Sequence, residues 1–308
     1  MLVIENLTKI FGKLTAVNNL DLTLEEGDIM GFIGPNGAGK TTTIKMVATL
    51  LKPTSGAVRI NGVDVLAEPE AVRPLLGYMP DFFGMYDDVK VWEYLDFFCA
   101  AYHIPRNKRT GTIDDVLELT DLTGKRESFV SELSRGMQQR LCLAKTILHD
   151  PKLLLLDEPA SGLDPRARIE IKELLKELRA MGKTILISSH ILPELADFCN
   201  KIAVIEQGTL VVSGDVDSIV ARCKGGVVLK IGLVDRMEEA AKLLEGLDVV
   251  AEVSVNDGMV VAKYTGEPGE HHSVLEALTT NGFRVRSFSE AEMDLEDVFL
   301  KVTKGLVR

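Results

Sequence analysis

The residues best suited to chemistry lie in the run Gly34-Pro35-Asn36-Gly37-Ala38-Gly39-Lys40-Thr41-Thr42. Its first eight positions fit G-x-x-x-x-G-K-[ST], the pattern of a loop that wraps phosphate. Gly34, Gly37 and Gly39 let the backbone close on an anion, with the N–H groups around Asn36 and Ala38 pointing inward. A helix expected from Thr41 to Leu51 aims its positive end at the same anion. Lys40 is then placed to reach the β- and γ-phosphates of a nucleotide, and Thr41 to offer its hydroxyl to Mg²⁺, with Thr42 beside it in the first turn.

Two further patterns extend that chemistry. Leu153 to Leu156 is a short apolar run followed by Asp157-Glu158-Pro159. A buried strand with two carboxylates at its C-terminal end puts them where parallel sheets collect ligands. Asp157 can hold Mg²⁺ or its water shell, and Glu158 can face an attacking water. Between the phosphate loop and this pair stands Leu133-Ser134-Arg135-Gly136-Met137-Gln138-Gln139-Arg140, which opens a helix. Ser134 and the backbone N–H groups near Gly136 form a second anion-binding helix end. One nucleotide does not need two such ends from one chain, which points to a site shared between subunits.

In this order the patterns resemble the nucleotide-binding domain of ABC transporters, whose signature usually reads LSGGQ. The resemblance covers roughly the first 215 residues. This copy departs from the signature at Arg135 and Met137, and keeps Ser134 and Gly136. The resemblance implies ATP and Mg²⁺ as cofactors. It also implies that Phe11 stacks on adenine, that Ser161-Gly162-Leu163-Asp164 is the loop that reaches across a dimer, and that His190 steadies the γ-phosphate while Glu158 orients or deprotonates water. After the segment Gly77-Tyr78-Met79-Pro80 the family generally has a glutamine that contacts Mg²⁺ and water, whereas this chain has Asp81. A carboxylate is also an oxygen ligand for Mg²⁺, but it adds negative charge and lacks an amide donor.

The partners that follow from the resemblance are a second nucleotide-binding subunit, with a homodimer expected, and an integral membrane permease. The place is the cytoplasmic face of the cell membrane, peripherally bound. The wording of residues 133–140, the segment 77–91 and the ending Leu295-Glu296-Asp297-Val298-Phe299-Leu300 resemble the branch that pairs with ABC-2-type permeases, usually exporters. A soluble ABC ATPase of translation or DNA repair is the alternative. It fits less well, because one cassette is present and the stretch from Lys40 to Ser134 is too short for a long coiled-coil insertion. A degenerate binding module is disfavoured by the intact Glu158 and His190.

These residues need a sheet covered by helices. Apolar runs at 29–33, 153–156 and 184–189, with a helical pattern at 168–181, predict a parallel sheet. The fold class expected is α/β: a P-loop ABC ATPase core over residues 1–214 with an inserted helical subdomain at about 88–150. A Gly- and Asp-rich linker at 215–225 leads to residues 226–308. There the order strand, helix, strand, strand, helix, strand predicts a ferredoxin-like α+β domain, closed by a helix over Leu295–Val302. Phe82, Phe83, Tyr86, Trp92, Tyr94, Phe97 and Phe98 crowd one segment of a chain with 6% aromatic residues. The loop Phe82–Tyr86 is expected to dock a partner helix.

Composition excludes several classes. The 308 residues are 46% hydrophobic and 26% charged, which predicts a folded globular chain. A net charge of -11 counts against nucleic acid as partner. Cys99, Cys142, Cys199 and Cys223 form no C-x-x-C pair and are expected to be reduced thiols. The start MLVIENLTKI is not expected to be a signal peptide, and no apolar run reaches the roughly 18 residues that would span a bilayer. His271-His272 is expected to face solvent.

Overall fold

The computed structural model describes the chain apart from residues 83, 192–194, 196–197, 217, 220–226, 257, 268 and 291–308. Phe83, Cys223, the Gly225-Gly226 boundary and the expected helix at Leu295–Val302 therefore lie outside the described residues. The chain forms two compact units, Met1–Val216 and Asp217–Arg308.

The first unit begins with a hairpin, β1 (Leu2–Phe11) and β2 (Leu14–Leu24), which buries Leu2, Ile4, Leu7, Val17, Leu20, Leu22 and Leu24 and leaves Ile10, Phe11 and Leu14 exposed at its turn end. β4 (Ser55–Ile60) pairs antiparallel with β1, and β5 (Val63–Asp64) pairs with β4. Leu2, Ile4, Leu20, Leu22, Val58 and Ile60 are all buried in the core that this small sheet shares with α1 (Lys40–Val47).

The second sheet holds β3 (Ile29–Ile33), β6 (Leu76–Met79), β7 (Leu153–Asp157), β8 (Thr184–Ser189), β9 (Lys201–Glu206) and β10 (Thr209–Asp215) in the order β10-β9-β3-β8-β7-β6. β9, β3, β8, β7 and β6 run parallel, and β10 folds back on β9. Every residue of β3, β7 and β8 is buried. Strands covered on both faces can carry apolar runs without alternation, as residues 153–156 and 185–187 do.

Between β5 and β8 the chain is mainly helical: α2 (Pro69–Val72), α3 (Val91–Ala101), α4 (Arg106–Leu119), α5 (Arg135–Ile147) and α6 (Pro165–Ala180). α6 buries Ile171, Leu174, Leu175 and Leu178 on one face, as a 3.6-residue period requires. α1 ends four residues earlier than expected from its pattern. Thr49 turns into the left-handed region at φ 63°, so Leu50 leaves the helix and is exposed.

Asp28 clamps the turn that leads into β3. Its carboxylate takes hydrogen bonds from the Glu25 N–H and the Asn200 amide, and pairs with Lys201 at 2.9 Å. Burial pushes the Asp28 carboxyl up, but the bonds from Lys201 and Asn200 outweigh it and hold the group below its ordinary value.

The second unit has the element order β11 (Val227–Leu233), α7 (Met237–Glu245), β12 (Val250–Asn256), β13 (Met259–Tyr264), α8 (His272–Thr280), β14 (Val285–Glu290). Its strands lie in the order β12-β13-β11-β14, all neighbours antiparallel, which is the split βαβ arrangement. Leu229, Ile231, Leu244, Val260, Ala262 and Leu278 form its core. His271 departs from the solvent-facing expectation. Its ring stacks on Phe288 at 6.2 Å and its Nε2 lies 3.4 Å from Glu290, while His272 is exposed. Among the described residues Cys99, Cys142 and Cys199 are free and buried.

Candidate functional site

Strand register brings the candidate residues together. In the parallel sheet Ile33 pairs with Ser189, Asp157 with Ser188, and Met79 with Leu156. The chain leaving each strand therefore carries Gly34, His190, Glu158 and Asp81 at one end of the sheet. This is the carboxyl end of parallel strands, where bound ligands gather.

The loop after β3 is wound as tightly as a bare backbone permits. A Cβ on Gly34 would stand 2.3 Å from the Ile205 carbonyl oxygen, and one on Gly39 2.5 Å from that of Ala16. Gly39 also has φ 107°, so a side chain there is excluded twice. Lys40 follows and opens α1. It is 6% exposed, donates to the Gly34 carbonyl at 2.6 Å, and lies 3.4 Å from Glu158 Oε1.

Asp157 ends β7 and is 1% exposed. Ser188, opposite it in register, donates its hydroxyl to Asp157 Oδ1 at 2.6 Å and accepts the Glu158 N–H at 3.0 Å. One hydroxyl thus fixes both acidic residues. Glu158 has φ 51°, a left-handed conformation that costs a non-glycine residue about 1–3 kcal/mol. The turn sends its carboxylate out between Lys40 and His190, whose Nδ1 is 2.9 Å from Glu158 Oε2. Asp81 is held above its ordinary value by burial, then by the charges of Asp157 and Glu158, with Arg135 and His190 pulling the other way.

Of these groups Lys40, Asp81 and Glu158 open on a cleft of about 650 Å³ lined also by Phe11, Asn36, Gly37, Ala38, Gly39, Thr41 and Thr42, whereas Asp157 and His190 do not line it. The volume matches that of small-molecule sites, roughly 300–1,000 Å³. Phe11 stands at its rim, 47% exposed, with Lys9 Nζ 4.9 Å from the ring centroid. The cleft suits a nucleotide: an aromatic face at one end, a glycine cradle for phosphate in the middle, and hydroxyl and carboxylate oxygens beyond. Among the described residues no group of three or more His, Cys, Asp or Glu could hold a metal unaided. Thr41 and Asp81 place a hydroxyl and a carboxylate on the cleft, and Mg²⁺ binds through one or two carboxylates together with phosphate oxygens.

Ser134, Gly136 and Asp164 do not line this cleft. Ser134 caps α5, its oxygen accepting from Met137 N–H at 3.3 Å, and Asp164 caps α6 through Ala167 N–H at 2.9 Å. Ser134 and Asp164 are exposed, and Gly136 packs its α-carbon toward Ala167. A capping hydroxyl still has its own proton to donate, so Ser134 can serve an anion in front of α5.

Sequence reasoning passed over Ser188, although a hydroxyl two residues before His190 on an otherwise apolar strand was a usable signal. It also passed over Leu14, Thr15, Ala16 and Gln207, which line the cleft. They belong to the β1–β2 hairpin and the β9–β10 turn, and only the fold brings those turns to the phosphate loop.

Comparison with known proteins agrees with this geometry. Residues 17–161 match the family described as "ABC transporter", and residues 214–303 match "ATP-binding protein DrrA1-3-like, C-terminal domain". Nod factor export ATP-binding protein I of Burkholderia lata is 35% identical over 97% of this chain and 95% of its own. Bacitracin transport ATP-binding protein BcrA of Bacillus licheniformis is 34% identical over 97% of this chain and 96% of its own. Among solved structures, the dimeric post-hydrolysis state of the ATP-binding cassette MJ0796 bound to ADP and Pi superposes with a TM-score of 0.64 at 25% identity, covering 70% of this chain and 99% of that one. A glycine cradle with its lysine, an acidic pair at a strand end and relatives alike over nearly their full length lead to one assignment: the chain belongs to the ABC transporter family, as an ATP-binding subunit that hydrolyses MgATP in transport.

Proposed function

We propose that two copies of this chain pair head to tail and power an exporter of the ABC-2 type. The observation that carries the catalytic part is the placement of Glu158, turned out of β7 at φ 51° between Lys40 and His190 and beside the phosphate loop. In this reading Glu158 orients the attacking water and takes its proton. Lys40 offsets charge on the β- and γ-phosphates, and the N–H groups of Asn36 to Thr42 hold them. His190 steadies the γ-phosphate and keeps the Glu158 carboxylate aimed. Phe11 offers its face to adenine. Thr41, Asp81 and Asp157 would hold Mg²⁺, which supplies charge neutralisation at the transferring phosphate.

The shared site is supported by what the cleft leaves out. Ser134, Gly136 and Asp164 sit at the starts of α5 and α6, away from the cleft of their own chain, where a second copy can use them. ATP then closes the pair and its hydrolysis opens it.

The permease and the place follow from the relatives and from one surface. The relatives are named for export and transport, and no described helix is long and apolar enough to cross a membrane. Phe82 is 89% exposed, Tyr86 58% and Phe97 53%, with Tyr86 and Phe97 in edge contact at 5.8 Å. An aromatic patch of this kind fits a permease helix at the cytoplasmic face of the membrane.

Glu158→Gln tests the core of the reading. The variant is expected to bind MgATP with near-normal affinity, lose hydrolysis by about 100-fold or more, and accumulate as a nucleotide-bound dimer in size-exclusion chromatography. Wild-type turnover would remove Glu158 from the mechanism, and a strictly monomeric variant would remove the paired site.

A further inference from the structure

The turn end of the β1–β2 hairpin lies on the phosphate loop. Lys9 pairs with Val17 and Ile10 with Thr15, so Ala16 stands as an extra residue on β2. A bulge of this kind bends a strand and re-aims its side chains. The Ala16 carbonyl comes so close to the loop that a Cβ added to Gly39 would stand 2.5 Å from its oxygen. Phe11 and Leu14 close the hairpin just beyond, exposed and lining the cleft. Three hydrogen bonds tie this end to the segment that follows α1. Lys9 Nζ donates to the Lys52 carbonyl at 2.7 Å, the Ile10 N–H to the Thr54 hydroxyl at 3.0 Å, and the Thr54 N–H to the Thr8 carbonyl at 2.8 Å.

Lys9 is half-buried, yet among the described residues no carboxylate pairs with it. Its ammonium is held instead between the Lys52 carbonyl and the ring of Phe11, 4.9 Å from the ring centroid. Phe11 lines the cleft and Lys9 does not. The ammonium therefore stands on the side of the ring turned away from the cleft, and the other side is left to a ligand. The face of an aromatic ring is negative, so a cation behind it holds the ring in place. Without that hold, a phenylalanine 47% exposed at a turn must give up its rotational freedom when a base arrives, at a cost in affinity. A base that covers the ring also removes water from it, and a cation–ring contact strengthens as water leaves.

We propose that Lys9 is a positioning residue for the base of the nucleotide: anchored on the Lys52 carbonyl, it holds the Phe11 ring from behind and leaves the front face set for stacking. The proposal rests on the reading of the cleft as the MgATP site with Phe11 against adenine. It gives Lys9 an action on the nucleoside half of the ligand alone. The triphosphate half belongs to the glycine loop and Lys40, on a different segment of the chain.

Full-length variants test this with two readouts: KM and kcat for MgATP, and the inhibition constant of inorganic tripolyphosphate, which carries the phosphates and no base. Lys9→Met keeps the stem and removes the charge. It is expected to raise KM about fourfold, the size of one such contact, with kcat and the tripolyphosphate constant each within about 1.5-fold of wild type. Lys9→Arg can lie on the ring and donate to the same carbonyl, so it is expected to keep KM within about 1.5-fold. In the Phe11→Leu background Lys9→Met is expected to add no more than about 1.5-fold, because the ring it held is gone. The proposal is overturned by an unchanged KM in Lys9→Met, by a Lys9→Arg that is no better than Lys9→Met, or by an equal rise in KM with and without Phe11→Leu. A parallel rise in the tripolyphosphate constant also overturns it, since Lys9 would then only support the segment after α1. Phe11→Leu alone separates the proposal from the reading beneath it. An unchanged KM there removes Phe11 as the base platform, whereas a raised KM with an additive cycle removes only the role of Lys9.

Discussion

At the scale of single residues, the site depends on groups that fix one another. Ser188 serves both acidic residues with one hydroxyl, and Lys40 and His190 meet Glu158 from opposite sides. Asp81 stands apart, lining the cleft without a partner of its own among the described residues. If it contributes an oxygen to Mg²⁺, Asp81→Ala should weaken metal-dependent turnover more than nucleotide affinity. A titration of ATPase rate against Mg²⁺ should show the half-saturating concentration rising by about tenfold, in keeping with a lost charged ligand at about 1.4 kcal/mol. Nucleotide binding measured without Mg²⁺ should change little. An unaltered Mg²⁺ curve would make Asp81 a bystander.

At the scale of elements, the aromatic segment separates into two parts. Tyr94 is 2% exposed and packs on Phe98 at 5.0 Å, so this side of α3 is core. Tyr86 and Phe97 lie outward, and Phe83 is not among the described residues. The docking prediction therefore passes to Tyr86. Tyr86→Ala is expected to lower co-purification with the membrane permease by about thirtyfold, the size of a hot-spot truncation of about 2 kcal/mol, while basal ATPase of the isolated chain is unchanged. Normal co-purification with a lowered thermal midpoint would assign Tyr86 to the core.

The same scale shows what the sequence could and could not convey. β3, β7 and β8 were legible because strands buried on both faces carry apolar runs without alternation, and the acidic pair and glycine loop were legible because their chemistry is local. The end of α1 was not, because the left-handed turn at Thr49 has no signal in residue type. The cleft wall from Thr15, Ala16 and Gln207 was hidden for another reason. Those residues come from turns far apart in the chain and meet only when β1, β2, β9 and β10 are in place. His271 was misjudged because its stacking partner, Phe288, lies on β14, a contact that spacing cannot reveal.

At the scale of the whole molecule, each unit has its own buried cluster, one around β1, β2, β4 and α1 and another around β11, β13, α7 and α8. All of the residues lining the cleft belong to Met1–Val216. A chain ending near Val216 should therefore fold and bind ATP with an affinity within a few-fold of the full chain, measured by calorimetric titration. A folded truncation that no longer binds nucleotide would place part of the site in the second unit. One consequence concerns heat. Mass action stabilises the cooperative unit that binds the ligand, by about 2.7 kcal/mol at a hundred times the dissociation constant. With a core in each unit and the cleft in one of them, saturating nucleotide should raise the melting of the first unit and leave that of the second where it was, so that a single chain carries an internal thermometer against which its own occupancy can be read.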